Sequence, residues 1–160
     1  MVLQVREHLF ISYCREERKW LEMFQTMLAP LLRKNQFKIW DDSQITPGTK
    51  WYEEIKKAVA SSKVALLLVS PRFLASDFII KHELPLLNAA RADGLTILWV
   101  AISRCMYQFT DLADYQALND PSKTLDSFSP AKLNEEMVRI CRQIKRAIDA
   151  PIQTGNVKLE

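Results

Sequence analysis

Two stretches of this chain, Val64 to Val69 and Leu95 to Ile102, are apolar at almost every position, the second broken only by Thr96. A strand with one wet face alternates apolar and polar residues; a strand apolar throughout needs cover on both faces. Around these runs lie longer segments with helical spacing. Trp20, Phe24, Met27, Leu28 and Leu31 form one stripe, and Trp51, Ile55, Ala58 and Val59 a second. Ile80, Leu84 and Leu87 form a third, and Met137, Cys141, Ile144 and Ile148 a fourth. Shorter runs at His8–Ser12 and Phe37–Trp40 supply two further strands. Strands alternating with helices build βαβ units, so the pattern predicts an α/β fold with a central parallel sheet covered by helices on both faces.

The boundaries agree with that pattern. Ser129-Pro130 reads as an N-cap followed by proline at the first helical position, opening a helix to about Asp149. Ser76-Asp77 caps the helix after the third strand, and Gly94 ends it. Thr46-Pro47-Gly48 is a turn, with glycine supplying the positive φ. Pro85 stands inside the third helical stripe, where it frees the carbonyl of Lys81. Either the helix bends toward the sheet edge there, or it is kinked to fit its packing. Residues 103–128 show no clear period, which leaves the sheet at four to five strands.

A length of 160 residues suits one domain, and 48% hydrophobic with 26% charged residues is ordinary globular composition. The expected division is a single domain over 1–150 and a C-terminal tail over 151–160, part of it cloning-derived. A formal charge of +3 is too small to argue for nucleic acid or an anionic membrane. The first residues carry charges where a secretory leader needs an apolar stretch, and no apolar run is long enough to span a bilayer. Cys14, Cys105 and Cys141 are odd in number and widely spaced, as unpaired thiols of a reducing compartment are. These features predict a cytoplasmic protein that binds neither nucleic acid nor membrane.

Doubly wound sheets bind ligands outside the carboxyl ends of their strands, where the strand order reverses. For the common order 2-1-3-4-5 that crevice lies between the first and third strands. Here they end at Ser12-Tyr13-Cys14-Arg15 and Ser70-Pro71-Arg72-Phe73, with Lys81-His82-Glu83 on the helix beyond. Several users of such a sheet are excluded. A response-regulator receiver needs acidic residues after strand one and an aspartate after strand three, where this chain has Ser12-Tyr13 and Ser70. Phosphate-binding loops need glycines, and the chain has 3, none in such a motif. His8 and His82 stand far apart with no ligand-spaced partner, so no metal is expected. No nucleophile elbow is present.

Three stretches in order carry a family resemblance: Leu9-Phe10-Ile11-Ser12-Tyr13; Phe37-Lys38-Ile39-Trp40-Asp41-Asp42 running into Ile45-Thr46-Pro47-Gly48 and Trp51; and Leu67-Leu68-Val69-Ser70-Pro71 leading to Leu74-Ala75-Ser76 and Glu83-Leu84. Together they resemble a Toll/interleukin-1 receptor (TIR) domain of the bacterial NAD-consuming kind, over roughly residues 6–149. The resemblance implies a flavodoxin-like three-layer fold with strand order 2-1-3-4-5. It also implies cleavage of the nicotinamide–ribose bond of NAD+, by hydrolysis or cyclisation, in bacterial antiviral immune signalling. The catalytic glutamate would be Glu83. Ser12, Tyr13 and Arg15 would border the ribose and phosphates, Arg15 offering a fork to phosphate oxygens. Asp41 and Ile45 would line the opposite wall. The loop carrying Asp42, Ile45, Pro47 and Gly48 would serve as lid and assembly contact. Implied partners are NAD+ as substrate with no cofactor or metal, other TIR domains, and a fused or associated sensor. Enzymatic members often place a tryptophan at the substrate-binding position that Ile79 holds here, so substrate stacking would come from another side chain or be weak. The other function the resemblance implies is a non-enzymatic adaptor acting only through self-association.

A lone carboxylate suffices for this chemistry. Glycosidases use two because the leaving alcohol must be protonated. Nicotinamide on ribose is already cationic and departs neutral. What remains is to stabilise an oxocarbenium-like sugar, which one ionised carboxylate in a water-poor cleft can do. Without the resemblance, Glu83 reads as a surface charge, Arg15 as part of a solvated helix start, Asp41 and Asp42 as turn acids, and Trp51, Phe78 and Ile79 as packing.

Overall fold

The computed structural model describes residues 5–34, 37–45, 48 and 50–152. Five strands pair in the order β2-β1-β3-β4-β5 and every pair is parallel. They are β1 (His8–Ser12), β2 (Ile39–Trp40), β3 (Ser62–Val69), β4 (Thr96–Ala101) and β5 (Gln116–Ala117). The apolar runs at β3 and β4 take the centre and its neighbour, in register from Val64 opposite Thr96 to Val69 opposite Ala101. This is the flavodoxin-like order, with the reversal between β1 and β3.

Strand alternation divides the core into two layers. Leu9, Ile11, Val64, Leu66, Leu68, Leu98 and Val100 pack under α1 (Arg18–Arg33) and α5 (Pro130–Asp149). Phe10, Ala65, Leu67, Val69, Ile97 and Trp99 pack under α2 (Trp51–Ser61) and α4 (Leu84–Ala90). Each large side chain so buried contributes about 1.5–3 kcal/mol relative to exposure. Helix α5 begins where the Ser-Pro signature puts it, with Ser129 Oγ accepting the Lys132 N–H at 3.3 Å.

The fifth strand, left open by the sequence pattern, is only two residues long. Its reach is extended by a side chain. Asn119 Oδ1 accepts the Ala101 N–H at 2.8 Å, and Asn119 Nδ2 donates to the Ala101 carbonyl at 3.0 Å. An amide side chain thus supplies ladder bonds at the end of β4 that a longer β5 backbone would otherwise make.

Two expectations about helical faces are corrected. Trp51, the first residue of the second stripe, is 39% exposed while Ile55, Ala58 and Val59 are buried. The third stripe is met only in part: Leu87 is buried and Leu84 half-buried against the core, but Ile80 is exposed, and Ile79, Glu83 and Ala90 complete the buried side. The segment after β3 explains the difference. A short helix, α3 (Pro71–Ala75), comes first, capped by Ser70 Oγ accepting the Phe73 N–H. The chain restarts at Ser76, whose Oγ accepts the Ile79 N–H, and winds through a π-helical turn, Ile79–Glu83, into α4. Within it the Leu84 N–H reaches back to the Ile79 carbonyl. Changing from π to α register leaves one carbonyl short of an amide, and Pro85, which has no N–H, follows at that changeover. The helix does end at Gly94, with φ +108°.

Candidate active site

Ser12 is the last residue of β1 and shares the sheet face of Phe10, the face covered by α2 and α4. The π turn brings Glu83 to the same place. Its side chain is 3% exposed, and Ser12 Oγ donates to Glu83 Oε1 at 3.2 Å. Burial pushes the Glu83 carboxyl up to about 8, and the nearby Asp42 charge adds to the rise; the Ser12 hydrogen bond and the Arg15 guanidinium oppose it. An ionisable group in an otherwise apolar stripe is the most perturbed carboxyl among the described residues.

Beside it the crevice opens into a cavity of about 510 Å³. It is lined by Tyr13, Cys14 and Arg15 of the loop after β1, by Asp42 and Ile45 after β2, by Trp51 at the start of α2, and by Ser76, Phe78 and Ile79. Glu83 and Ser12 are not lining residues. They adjoin the cavity through Tyr13, next in sequence to Ser12, and through Asp42 and Arg15, whose charges act on the Glu83 carboxyl. A second recess of about 370 Å³ shares Cys14, Glu16 and Ser76 with the first and adds Arg72. A larger cavity, about 820 Å³, runs from Glu7 and His8 at the start of β1 along the β2 edge. Its size does not make it the better candidate. It lies at the amino end of β1, and its one imidazole accepts the Lys38 N–H.

Of the remaining candidate residues, Tyr13, Arg15, Asp42, Ile45 and Ile79 line the cavity. Arg15 Nε donates to Asp42 Oδ2 at 2.9 Å, an ion pair with a largely exposed guanidinium and a buried carboxylate. The pair raises the Arg15 pKa further. Tyr13 is buried, its phenol pushed up by burial first and then by Asp42, and its hydroxyl accepts from Arg18 Nη1 at 3.3 Å. Asp41 departs from its expected place on the wall. It is 1% exposed and its Oδ1 accepts the Ser43 N–H at 2.9 Å, so it caps the turn Asp42–Gln44 and is absent from the lining. Ile45 does line the cavity, and Asp42 lines it where Asp41 does not. Of the expected lid and assembly loop, Gly48 is exposed with φ +85°, while Thr46, Pro47 and Thr49 lie outside the described residues. Cys14 is held as a thiol by burial, its pKa pushed up to about 11, and Sγ donates to Glu16 Oε2.

Sequence reasoning placed Trp51 and Phe78 in packing, but both face the cavity. A signal was present. In a parallel α/β fold every helix following a strand starts at the carboxyl edge, so a tryptophan at the first position of α2 belongs to that rim. The π turn carried no comparable signal beyond Pro85.

The TIR domain family model matches residues 9–138. Among solved structures the chain is similar to a metazoan TIR-STING receptor from C. gigas, at 16% identity and a TM-score of 0.48, over 95% of this chain and 43% of that one. The chain therefore spans under half the length of that receptor. No curated protein matches. Among the described residues no helix is long and apolar enough to cross a membrane.

Proposed function

The chain belongs to the TIR domain family, and from that premise we propose that it is an NAD+ glycohydrolase that cuts the nicotinamide–ribose bond. The observation that carries the reading is the buried Glu83 carboxyl, held by Ser12 at the reversal of strand order and flanked by a cavity with a guanidinium at its wall. Self-association through the Asp42–Gly48 loop would bring the site to its active form, and bacterial antiviral signalling with a sensor partner is the setting proposed for it.

The steps follow from the charges. NAD+ brings a cationic nicotinamide ribose to a carboxyl that burial holds largely protonated near neutral pH. A nearby positive charge favours the ionised form, so substrate binding itself drives proton release. The carboxylate then stabilises the positive charge that develops on the ribose as neutral nicotinamide leaves. Water, which gives up its proton to solvent, or the adenine ring in a cyclisation, then captures the sugar. Arg15 offers its Nη groups to the diphosphate while Nε keeps Asp42.

The test is nicotinamide release by protein clustered on a scaffold, wild type beside Glu83→Ala. Turnover should fall by two to three orders of magnitude in the variant, on the order of 3–4 kcal/mol. Equal turnover would remove Glu83 from the mechanism. One observation favours a second reading, a self-associating adaptor without turnover: the Glu83 side chain is 3% exposed, and ligand must reach it through groups that now cover it. Absence of nicotinamide release from clustered wild type, with assembly intact, would select the adaptor.

A further inference from the structure

Three of the four tryptophans are accounted for by packing. Trp20 and Trp99 are buried, and Trp40 stacks on Phe10 with ring centroids 4.9 Å apart and planes at 21°. Trp51 is different. It is 39% exposed at the mouth of the 510 Å³ cavity and stands on the first turn of α2. Its ring is held from the opposite element: Phe78 lies 5.2 Å away with planes at 54°, and His82 5.2 Å away, near-perpendicular at 70°. Tyr52 closes a third side edge-on at 5.7 Å. A large aromatic surface left partly in water yet fixed by three rings is a stiff flat platform, and its fixation costs a ligand little further order.

Resting on the hydrolase reading, we propose that Trp51 is the stacking platform for the nicotinamide ring of the substrate, with Phe78 and His82 as its positioning residues. The choice of ring follows from place and charge. Phe78 and Ile79 form the cavity wall one helical turn before Glu83, so a ring on that wall is carried by the sugar that Glu83 addresses. That ring is a pyridinium, and a cation is attracted to an indole face. The attraction weakens once the bond breaks and the product is neutral, which favours release. Ile79, 2% exposed, offers the ring an apolar edge and no stacking face.

The experiment measures binding separately from turnover. Nicotinamide mononucleotide, which carries the nicotinamide ribose without adenosine, and ADP-ribose, which lacks nicotinamide, are titrated calorimetrically into Glu83→Gln protein bearing Trp51, Trp51→Phe or Trp51→Ala. Loss of the indole should weaken nicotinamide mononucleotide about tenfold or more, the phenylalanine variant should retain most of the affinity, and ADP-ribose should change less than twofold. Unchanged binding of the mononucleotide in Trp51→Ala overturns the proposal, as does an equal loss for ADP-ribose or no mononucleotide binding with Trp51 in place. The hydrolase reading fails separately. Wild type that releases no nicotinamide, while its mononucleotide binding depends on Trp51, keeps the platform and removes the hydrolysis.

Discussion

Replacing Glu83 by glutamine should make the folded protein more stable at neutral and alkaline pH while abolishing the proposed turnover. In the folded chain burial moves the Glu83 carboxyl from 4.5 to about 8. The native state therefore binds this proton more tightly than the unfolded chain does. The resulting stability is complete below the unfolded value near 4.5 and is lost progressively as pH rises to about 8. At about 1.4 kcal/mol per pH unit, the whole span amounts to about 5 kcal/mol. Water entering from the adjoining cavity lowers this ceiling to a few kcal/mol, still a large share of a domain's total. Glutamine keeps the shape and can accept from Ser12, but it does not titrate. Urea unfolding at half-unit steps from pH 5 to 8.5 measures the effect as the difference between the two midpoint curves, which cancels every other titrating group. Wild type should lose ground to Glu83→Gln steadily across that window, with equal m-values. Parallel curves would refute the reasoning: they would mean that the carboxyl is solvated in the folded state and has no water-poor site in which to act.

Three further outcomes follow from the same geometry. The pH dependence of kcat/KM for nicotinamide release should rise toward about 8, the carboxylate being the working form; Ser12→Ala should move the midpoint up and Asp42→Asn should move it down, because one removes a bond to the charged form and the other a like charge. Pro85→Ala restores an amide at the π-to-α changeover and should regularise the helix, turning Ile79 and the wall it carries relative to Glu83; turnover should fall at least tenfold with the melting temperature preserved, and unchanged kinetics would separate the π turn from function. Gly94→Ala should cost about 1–2 kcal/mol in chemical denaturation, since φ is +108° and a Cβ would meet Ile152 Cγ2 at 2.6 Å; a loss below 0.5 kcal/mol, the ordinary surface value, would show that the turn relaxes.

The fold was largely written in the chain's periodicities. Continuous apolar runs at Val64–Val69 and Leu95–Ile102 have only one stable placement, between two helical layers, and the reversal of strand order fixes where a crevice must open. The caps at Ser76 and Ser129 and the stop at Gly94 were equally legible, because each acts through its own backbone neighbours. The fifth strand was not, since its ladder is completed by the amide of Asn119 and leaves no alternation to read.

Around the site, sequence motifs selected Ser12 and Glu83, and the fold brought their oxygens within 3.2 Å. What the sequence alone determined is what local rules govern: strand and helix periods, caps, turns, and the residue types available at the carboxyl edge. Only the tertiary structure decided which way those residues face. A π turn adds one residue to a helix and so changes which side chains face the sheet, which leaves Ile80 in water beside the buried Ile79 and Glu83; on the turn after β2, Asp41 caps its own backbone while Asp42 lines the cavity with Trp51. The same burial set the charge state of Glu83, because a pKa measures the dielectric and the charges that folding gathers around a group, and these come from β1, the turn after β2 and the helix beyond β3 together.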